Sequence, residues 1–158
     1  VDWTVGIALD RHGAACRFER FQLPWAETRA RILAATADVP ALVDSTGVGD
    51  AVLEDLQRAR PGLFEGFRFT QGSKQQLMEG LAVAIQQGAV RYPDGPLVAE
   101  LEAFEFEYTR TGVRYAAAPG MHDDCVCALA LAVRKRTLPP TTGLIEFSRE
   151  EAARRGAL

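Results

Sequence analysis

The period of the apolar positions changes several times along the chain, and each change predicts an element. Val5-Gly6-Ile7-Ala8-Leu9 is a short apolar run that meets the turn signal Asp10-Arg11-His12-Gly13, after which Ala14 to Leu23 alternates. This pattern predicts a β-hairpin. Behind Pro24, the positions Ala26, Ala30, Ile32 and Leu33 recur at helical spacing, which predicts a helix from Trp25 to Ala35. Ala41-Leu42-Val43 reads as a short strand ending in Asp44, followed by a helix from Gly47 to Ala59 that Pro61-Gly62 closes. Phe64 to Phe69 reads as a further strand. Ser73-Lys74-Gln75-Gln76 has the form of a capping box, opening a helix through Leu77, Leu81, Ala84 and Ile85 that stops at Gly88.

After the loop Pro93-Asp94-Gly95-Pro96, the stretch from Leu97 to Tyr108 fits both periods. Leu101, Phe104 and Tyr108 suit a helix, whereas Phe104, Phe106 and Tyr108 suit a strand. Thr111-Gly112 followed by Val113 to Ala117 favours a hairpin in the second half. His122 to Arg136 reads as an alanine-rich helix, with acids at its start and Arg134-Lys135-Arg136 at its end, each sign matching the helix dipole. A Pro-Pro break and a short amphipathic segment follow. The order of elements, an antiparallel hairpin and then alternating strands and helices, implies an α/β fold with a mixed sheet and helices on both faces.

Composition narrows the class. The chain has 158 residues, 47% apolar and 25% charged, with no internal repeat, so disorder, collagen-like repeats and coiled coil are out. A single domain of this length buries roughly two-thirds of its unfolded surface, enough for a core without disulfides or a structural metal. The longest apolar stretch, Cys125 to Val133, is far short of a membrane span. A soluble, intracellular protein without membrane contact is the expectation. Three cysteines without C-x-x-C spacing read as reduced thiols.

Eighteen basic against 21 acidic side chains, a net charge of −3, argue against autonomous nucleic-acid binding driven by bulk charge. They do not argue against a nuclease, because metal-assisted phosphodiester cleavage needs clustered carboxylates. Asp2 at the head of the first strand, Asp44 at the carboxyl end of Ala41-Leu42-Val43, and Asp123-Asp124 at the start of the last helix all lie at element ends. Acids from such distant positions can converge on Mg²⁺ at a sheet edge. Two such ions ~3.5–4 Å apart clamp the attacking water and the leaving oxygen of an in-line displacement. Each acid also has a plainer reading: Asp123 and Asp124 as helix caps, Asp44 as a turn former, Asp2 as a solvated terminal acid. Gly47-Val48-Gly49 carries only part of a phosphate-binding glycine pattern and has no Gly-Lys-Ser/Thr ending, so tight-turn duty competes with nucleotide binding. Lys74 is either a solvated helix residue or a phosphate contact, and His12 a solvated turn residue. Arg134-Lys135-Arg136 reads as a dipole-complementing surface cluster rather than a DNA stripe.

Four segments, in order, carry a resemblance: Asp2-Trp3-Thr4 running into an apolar strand, Val43-Asp44-Ser45-Thr46-Gly47-Val48-Gly49, Phe69-Thr70-Gln71-Gly72-Ser73-Lys74-Gln75-Gln76-Leu77, and His122-Asp123-Asp124-Cys125-Val126-Cys127-Ala128-Leu129-Ala130. Together they resemble the nuclease domain of viral large terminase subunits over residues 1 to about 136, leaving 137–158 as a tail. The resemblance implies an RNase H-like, RuvC-type fold and an endonuclease using two Mg²⁺ or Mn²⁺ ions to cut concatemeric viral duplex DNA during genome packaging. Carried over by position, it makes Asp2, Asp44 and Asp124 the catalytic, metal-binding acids and Asp123 an additional ligand. The family pattern usually has Gly-Val-Asp, a short loop, and a second Asp before an aromatic and Thr. Here Val1-Asp2 runs directly into Trp3-Thr4, so Asp2 either merges the two acids or the first lies outside the sequence. The resemblance further implies a packaging ATPase domain of the same full-length protein, a small terminase subunit and a portal as partners, in the cytoplasm of an infected host. Two other functions share these features: a RuvC-like resolvase or transposase-type enzyme, and a non-catalytic nucleotide-binding domain.

Overall fold

A computed structural model describes residues 3–110, 112–118, 120 and 122–137. Asp2 and the Pro-Pro break with its amphipathic segment lie outside the described residues. The chain opens with strands β1 (Thr4–Leu9) and β2 (Ala15–Phe21), an antiparallel hairpin with a bulge between Ala8 and Leu9. Its turn is closed by the Asp10 carboxylate, whose Oδ1 accepts the His12 and Ala14 N–H groups at 2.8 and 2.9 Å. His12 is exposed in that turn, as its position predicts.

Helix α1 (Trp25–Thr36) precedes β3 (Ala41–Asp44), α2 (Gly49–Ala59) and β4 (Phe64–Phe67), and β3 pairs in parallel with β4 through the crossover that α2 makes. Helix α3 (Gln71–Gln86) starts earlier than the sequence pattern places it. Its cap is Thr70, whose Oγ1 accepts the Ser73 N–H at 3.1 Å while Ser73 Oγ accepts the Thr70 N–H at 2.8 Å. Ser73 is thus the third helical residue of the box and not its cap. The Leu97–Tyr108 ambiguity resolves into both alternatives: α4 (Pro96–Glu102), then β5 (Phe104–Thr109), which pairs antiparallel with β6 (Gly112–Ala117). Helix α5 (Asp124–Thr137) completes the described fold.

The result is the mixed α/β architecture that the element order implies, with antiparallel and parallel pairing both present. Among the described residues the strands are hydrogen-bonded in pairs, β1–β2, β3–β4 and β5–β6, rather than as one continuous ladder. While α3 carries the third pair through β6, helix α5 joins the first two, packing against β1, β3, α3 and α4. Its buried residues Cys125, Val126, Leu129, Ala130 and Val133 recur at helical spacing and meet Leu77, Met78, Leu81 and Ala84 of α3 in one core. Each fully buried aliphatic side chain there contributes roughly 1.5–3 kcal/mol, so the position of α5 is set by its whole face. Its basic end is tied down as well. Lys135 Nζ lies 2.7 Å from Glu65 Oε1, and the Arg134 guanidinium lies over the Phe67 ring at 5.2 Å. All three cysteines are free thiols. No described helix is long and apolar enough to cross a membrane.

Candidate active site

Asp44 stands at the carboxyl end of β3, where the chain must leave the strand and enter α2 within four residues. The carboxylate accepts the Thr46 N–H at 2.8 Å through Oδ1, so the side chain caps its own turn. Thr46 Oγ1 in turn accepts the Phe69 N–H at 2.9 Å, joining this turn to the segment that leads into α3. Two glycines make the geometry possible. Gly47 has φ +60°, and a Cβ on Gly49 would lie 2.5 Å from the Asp44 carbonyl oxygen. The glycine pattern is therefore a tight turn that keeps Asp44 at the surface.

Asp123 and Asp124 stand at the start of α5. Asp123 Oδ2 lies 2.7 Å from Lys74 Nζ, both side chains being partly buried. Lys74, expected to be either solvated or a phosphate contact, is thus engaged with a candidate acid of the same site. Asp124 accepts a hydrogen bond from the Trp3 backbone N–H. Among the described residues its Oδ2 is buried without a hydrogen-bond partner, and the His122 Nδ1 lies 3.5 Å from it. Burial foremost, and then the neighbouring charge of Glu100, push the Asp124 carboxyl above its ordinary range, against the opposing influence of the Trp3 N–H and His122.

Cys127, one turn further along α5, senses the whole arrangement. Its thiol is pushed up to about 12, by burial first and then by the negative charges of Asp123, Asp124 and Asp44, with Lys74 opposing. Asp44 and the α5 acids therefore share one electrostatic neighbourhood. Carboxylate oxygens are the donors gathered here, and a hard divalent cation is the ion they suit. Among the described residues no three acidic, His or Cys side chains close into a cage. An open set of carboxylates suits Mg²⁺, which keeps several waters and takes further oxygens from substrate phosphates. The orphaned Oδ2 of Asp124 fits such a role, because a buried carboxylate oxygen without a donor needs a cation or water to offset its desolvation.

Behind Asp124 lies a group that the sequence reading passed over. Glu100 of α4 is only 5% exposed. Its Oε2 accepts the Cys125 N–H at 2.7 Å, and its Oε1 lies 3.5 Å from Arg20 Nη2. The Arg20 guanidinium stacks over the Trp3 ring at 4.0 Å. The available signal was Glu100's place three residues after Leu97, which puts an acid on the apolar face of a short helix.

Beside Lys74, an open groove of about 340 Å³ is lined by Gln71, Lys74, Thr109, Val113, Arg114 and Tyr115. The β5–β6 hairpin forms one wall, docked on α3 by Gln71 Nε2 donating to Thr109 Oγ1 at 3.2 Å and by the Val113 N–H donating to Gln75 Oε1 at 3.3 Å. Phe106 and Tyr108 stand exposed on that hairpin, with their rings edge to face.

Comparison with known proteins yields consistent matches. The model of the terminase RNaseH-like domain family matches residues 6–136. The large terminase subunit of Thermus phage G20c is 32% identical over 137 residues, covering 80% of this chain and 27% of that protein. The large terminase subunit of Thermus virus P23-45 is 33% identical over 144 residues, covering 83% of this chain and 28% of its own length. The chain thus spans about a quarter of the length of these relatives. The crystal structure of the large terminase nuclease from thermophilic phage G20c with bound magnesium has a TM-score of 0.72 at 27% identity, covering 84% of this chain and 80% of that one. The same nuclease with bound cobalt gives 0.70 at 27% identity over the same shares of the two chains. Since the family match runs unbroken from the first hairpin through the Asp44 turn to the helix that Asp123 and Asp124 open, the chain belongs to the terminase RNase H-like domain family.

Proposed function

We propose that the chain is the metal-dependent endonuclease domain of a phage large terminase subunit, and that it cuts concatemeric viral duplex DNA during genome packaging by two-metal-ion phosphodiester hydrolysis with Mg²⁺ or Mn²⁺. The observation that carries this reading is the orphaned Oδ2 of Asp124, held beside Asp123 and in the electrostatic neighbourhood of Asp44. Asp44, Asp123 and Asp124 hold the ions, together with Asp2, which directly precedes Trp3 in the chain. When bound, the metal supplies Lewis-acid stabilisation of phosphoryl charge and lowers the pKa of the attacking water.

The residues of this chain supply placement. The Thr46 N–H fixes the Asp44 carboxylate, and the Trp3 N–H fixes that of Asp124. Lys74 neutralises part of the charge on Asp123 and lines the adjoining groove, which supports its reading as a phosphate contact once substrate enters. Arg110 and Arg114 offer positive charge, and the exposed Tyr108 a hydroxyl donor, to the DNA backbone on the hairpin that also exposes Phe106. A packaging ATPase domain of the same full-length protein delivers the DNA, with a small terminase subunit and a portal as further partners in the host cytoplasm.

Plasmid nicking by the chain in Mn²⁺ and in Mg²⁺, each with and without chelator, tests this reading. Metal-dependent cutting is expected. Cutting that survives chelation, or its absence with both ions, would overturn it. Preference for four-way junctions over linear duplex would point instead to a resolvase.

A further inference from the structure

We propose that Glu100 is a positioning residue for the candidate metal site, holding the first turn of α5 and strengthening divalent-ion binding through Asp124, an inference that rests on the metal-site reading above. Three observations converge on it. The buried Glu100 carboxylate accepts the N–H of Cys125, the residue after Asp124, at 2.7 Å, so it secures the helix turn from which Asp124 projects. Its ion pair with Arg20 is long, 3.5 Å, and Arg20 Nε is itself buried without a partner, so the guanidinium offsets the Glu100 charge incompletely. Arg20 also stacks on Trp3, whose backbone N–H holds the Asp124 carboxylate. The contacts thus close a ring, Glu100 to Arg20 to Trp3 to Asp124 and back through the Cys125 amide, behind a buried carboxylate oxygen that lacks a donor among the described residues.

A hydrogen bond to Cys125 alone would make Glu100 a helix cap. Its position points further, because an incompletely neutralised buried carboxylate adds negative potential where a divalent cation is to bind. Partners of this kind behind metal ligands typically govern affinity about tenfold or more. A glutamine in this place keeps the shape and the carbonyl acceptor for Cys125 but removes the charge. Glu102, exposed and two residues further along the same helix, carries the same charge without touching the ring.

The test compares the full chain with Glu100→Gln and Glu102→Gln variants. Divalent-ion binding is measured by calorimetry with Mn²⁺ alone, and nicking is followed as a function of Mn²⁺. The expected result is that Glu100→Gln weakens Mn²⁺ binding, and raises the half-saturating Mn²⁺ concentration, by roughly tenfold, with a smaller effect on the rate at saturation. Glu102→Gln should leave Mn²⁺ binding near that of the wild type. Mn²⁺ affinity unchanged in Glu100→Gln, or weakened equally in Glu102→Gln, overturns the proposal and leaves the metal-site reading standing. A wild-type chain that binds no Mn²⁺ in the calorimeter removes both. Should Glu100→Gln fail to fold, Glu100→Asp keeps the charge on a shorter reach, and Mn²⁺ affinity near wild type is then expected despite a lower melting temperature. Affinity lost along with stability would overturn the role.

Discussion

Asp124 carries opposing demands, since burial disfavours its charge while the reading of the site requires it. Because its folded-state pKa is raised, the native state binds this proton more readily than the unfolded chain does. Ionisation therefore costs stability at pH values above the raised pKa, and that cost disappears as the pH falls through it toward the ordinary carboxylate value. Asp124→Asn removes the cost altogether. In the absence of divalent ions the variant should melt above the wild type at neutral pH, with the gap closing on acidification. Melting curves from pH 4 to 8 check this, and a gap that does not change with pH would deny Asp124 the role. Cutting by the same variant should fall by at least the roughly 10–100-fold that loss of a partner behind a metal ligand costs. Asp123→Asn should lose less, because Lys74 already neutralises part of the Asp123 charge. Lys74→Met separates the two duties given to that residue: Mn²⁺ should bind more tightly to the freed carboxylate while duplex cutting declines. Weaker Mn²⁺ binding would mean that the lysine holds Asp123 in place rather than competing with the ion.

At the scale of elements, the junction of β3 and α2 decides whether Asp44 reaches the site. The sequence marks the turn through Gly47 and Gly49, but the need for Gly49 comes from tertiary closeness, the Asp44 carbonyl lying where a Cβ would stand. Gly49→Ala should therefore displace Asp44, costing about 1–3 kcal/mol of stability together with most of the cutting. Gly80, exposed in the middle of α3 with open space around its missing Cβ, gives the contrast. Gly80→Ala should stabilise by roughly 0.8–1 kcal/mol through helix propensity alone. Denaturant midpoints of the two variants should move in opposite directions, and a shared direction would show that the close approach at Gly49 is relieved at little cost. Helix α3 has its cap at Thr70, three residues before the Ser73 that the sequence pattern suggests, for a related reason. Thr70 and Ser73 form a reciprocal box whose members read equally well as two separate caps until the hydrogen bonds are seen.

Taken whole, the molecule is acidic and has only a few basic groups near the candidate site. Duplex binding by the chain alone should be weak and should fall steeply with salt, since each phosphate contact releases counterions. Replacing both Phe106 and Tyr108 with alanine should leave the melting temperature nearly unchanged, because both rings are exposed, while weakening duplex affinity. Fluorescence anisotropy with a short duplex at two salt concentrations checks both statements. Supplying the DNA through a tethered ATPase domain should raise cutting by effective concentration without new chemistry. Cutting by the isolated chain that is indifferent to salt and confined to one sequence would contradict a nuclease that depends on delivery.

The local signals were enough to place both hairpins, the Asp44 strand end, the helix opened by Asp123 and Asp124, and the mixed α/β class, because periodicity and turn chemistry act over a few residues and leave their mark in sequence. The stretch from Leu97 to Tyr108 stayed double-valued because a helix and a strand there share their aromatic positions; the packing of Leu97 and Glu100 into the core beside α5 settled the helical half. The partners of the site came only with the fold. Lys74 meets Asp123 across 49 positions, and Glu100 meets Cys125 across 25, with nothing in the sequence around either to announce the other. Burial decides such pairings: a charge taken out of water must find a counter-charge or a donor, and which one it finds depends on elements brought together by hydrophobic packing rather than by proximity along the chain.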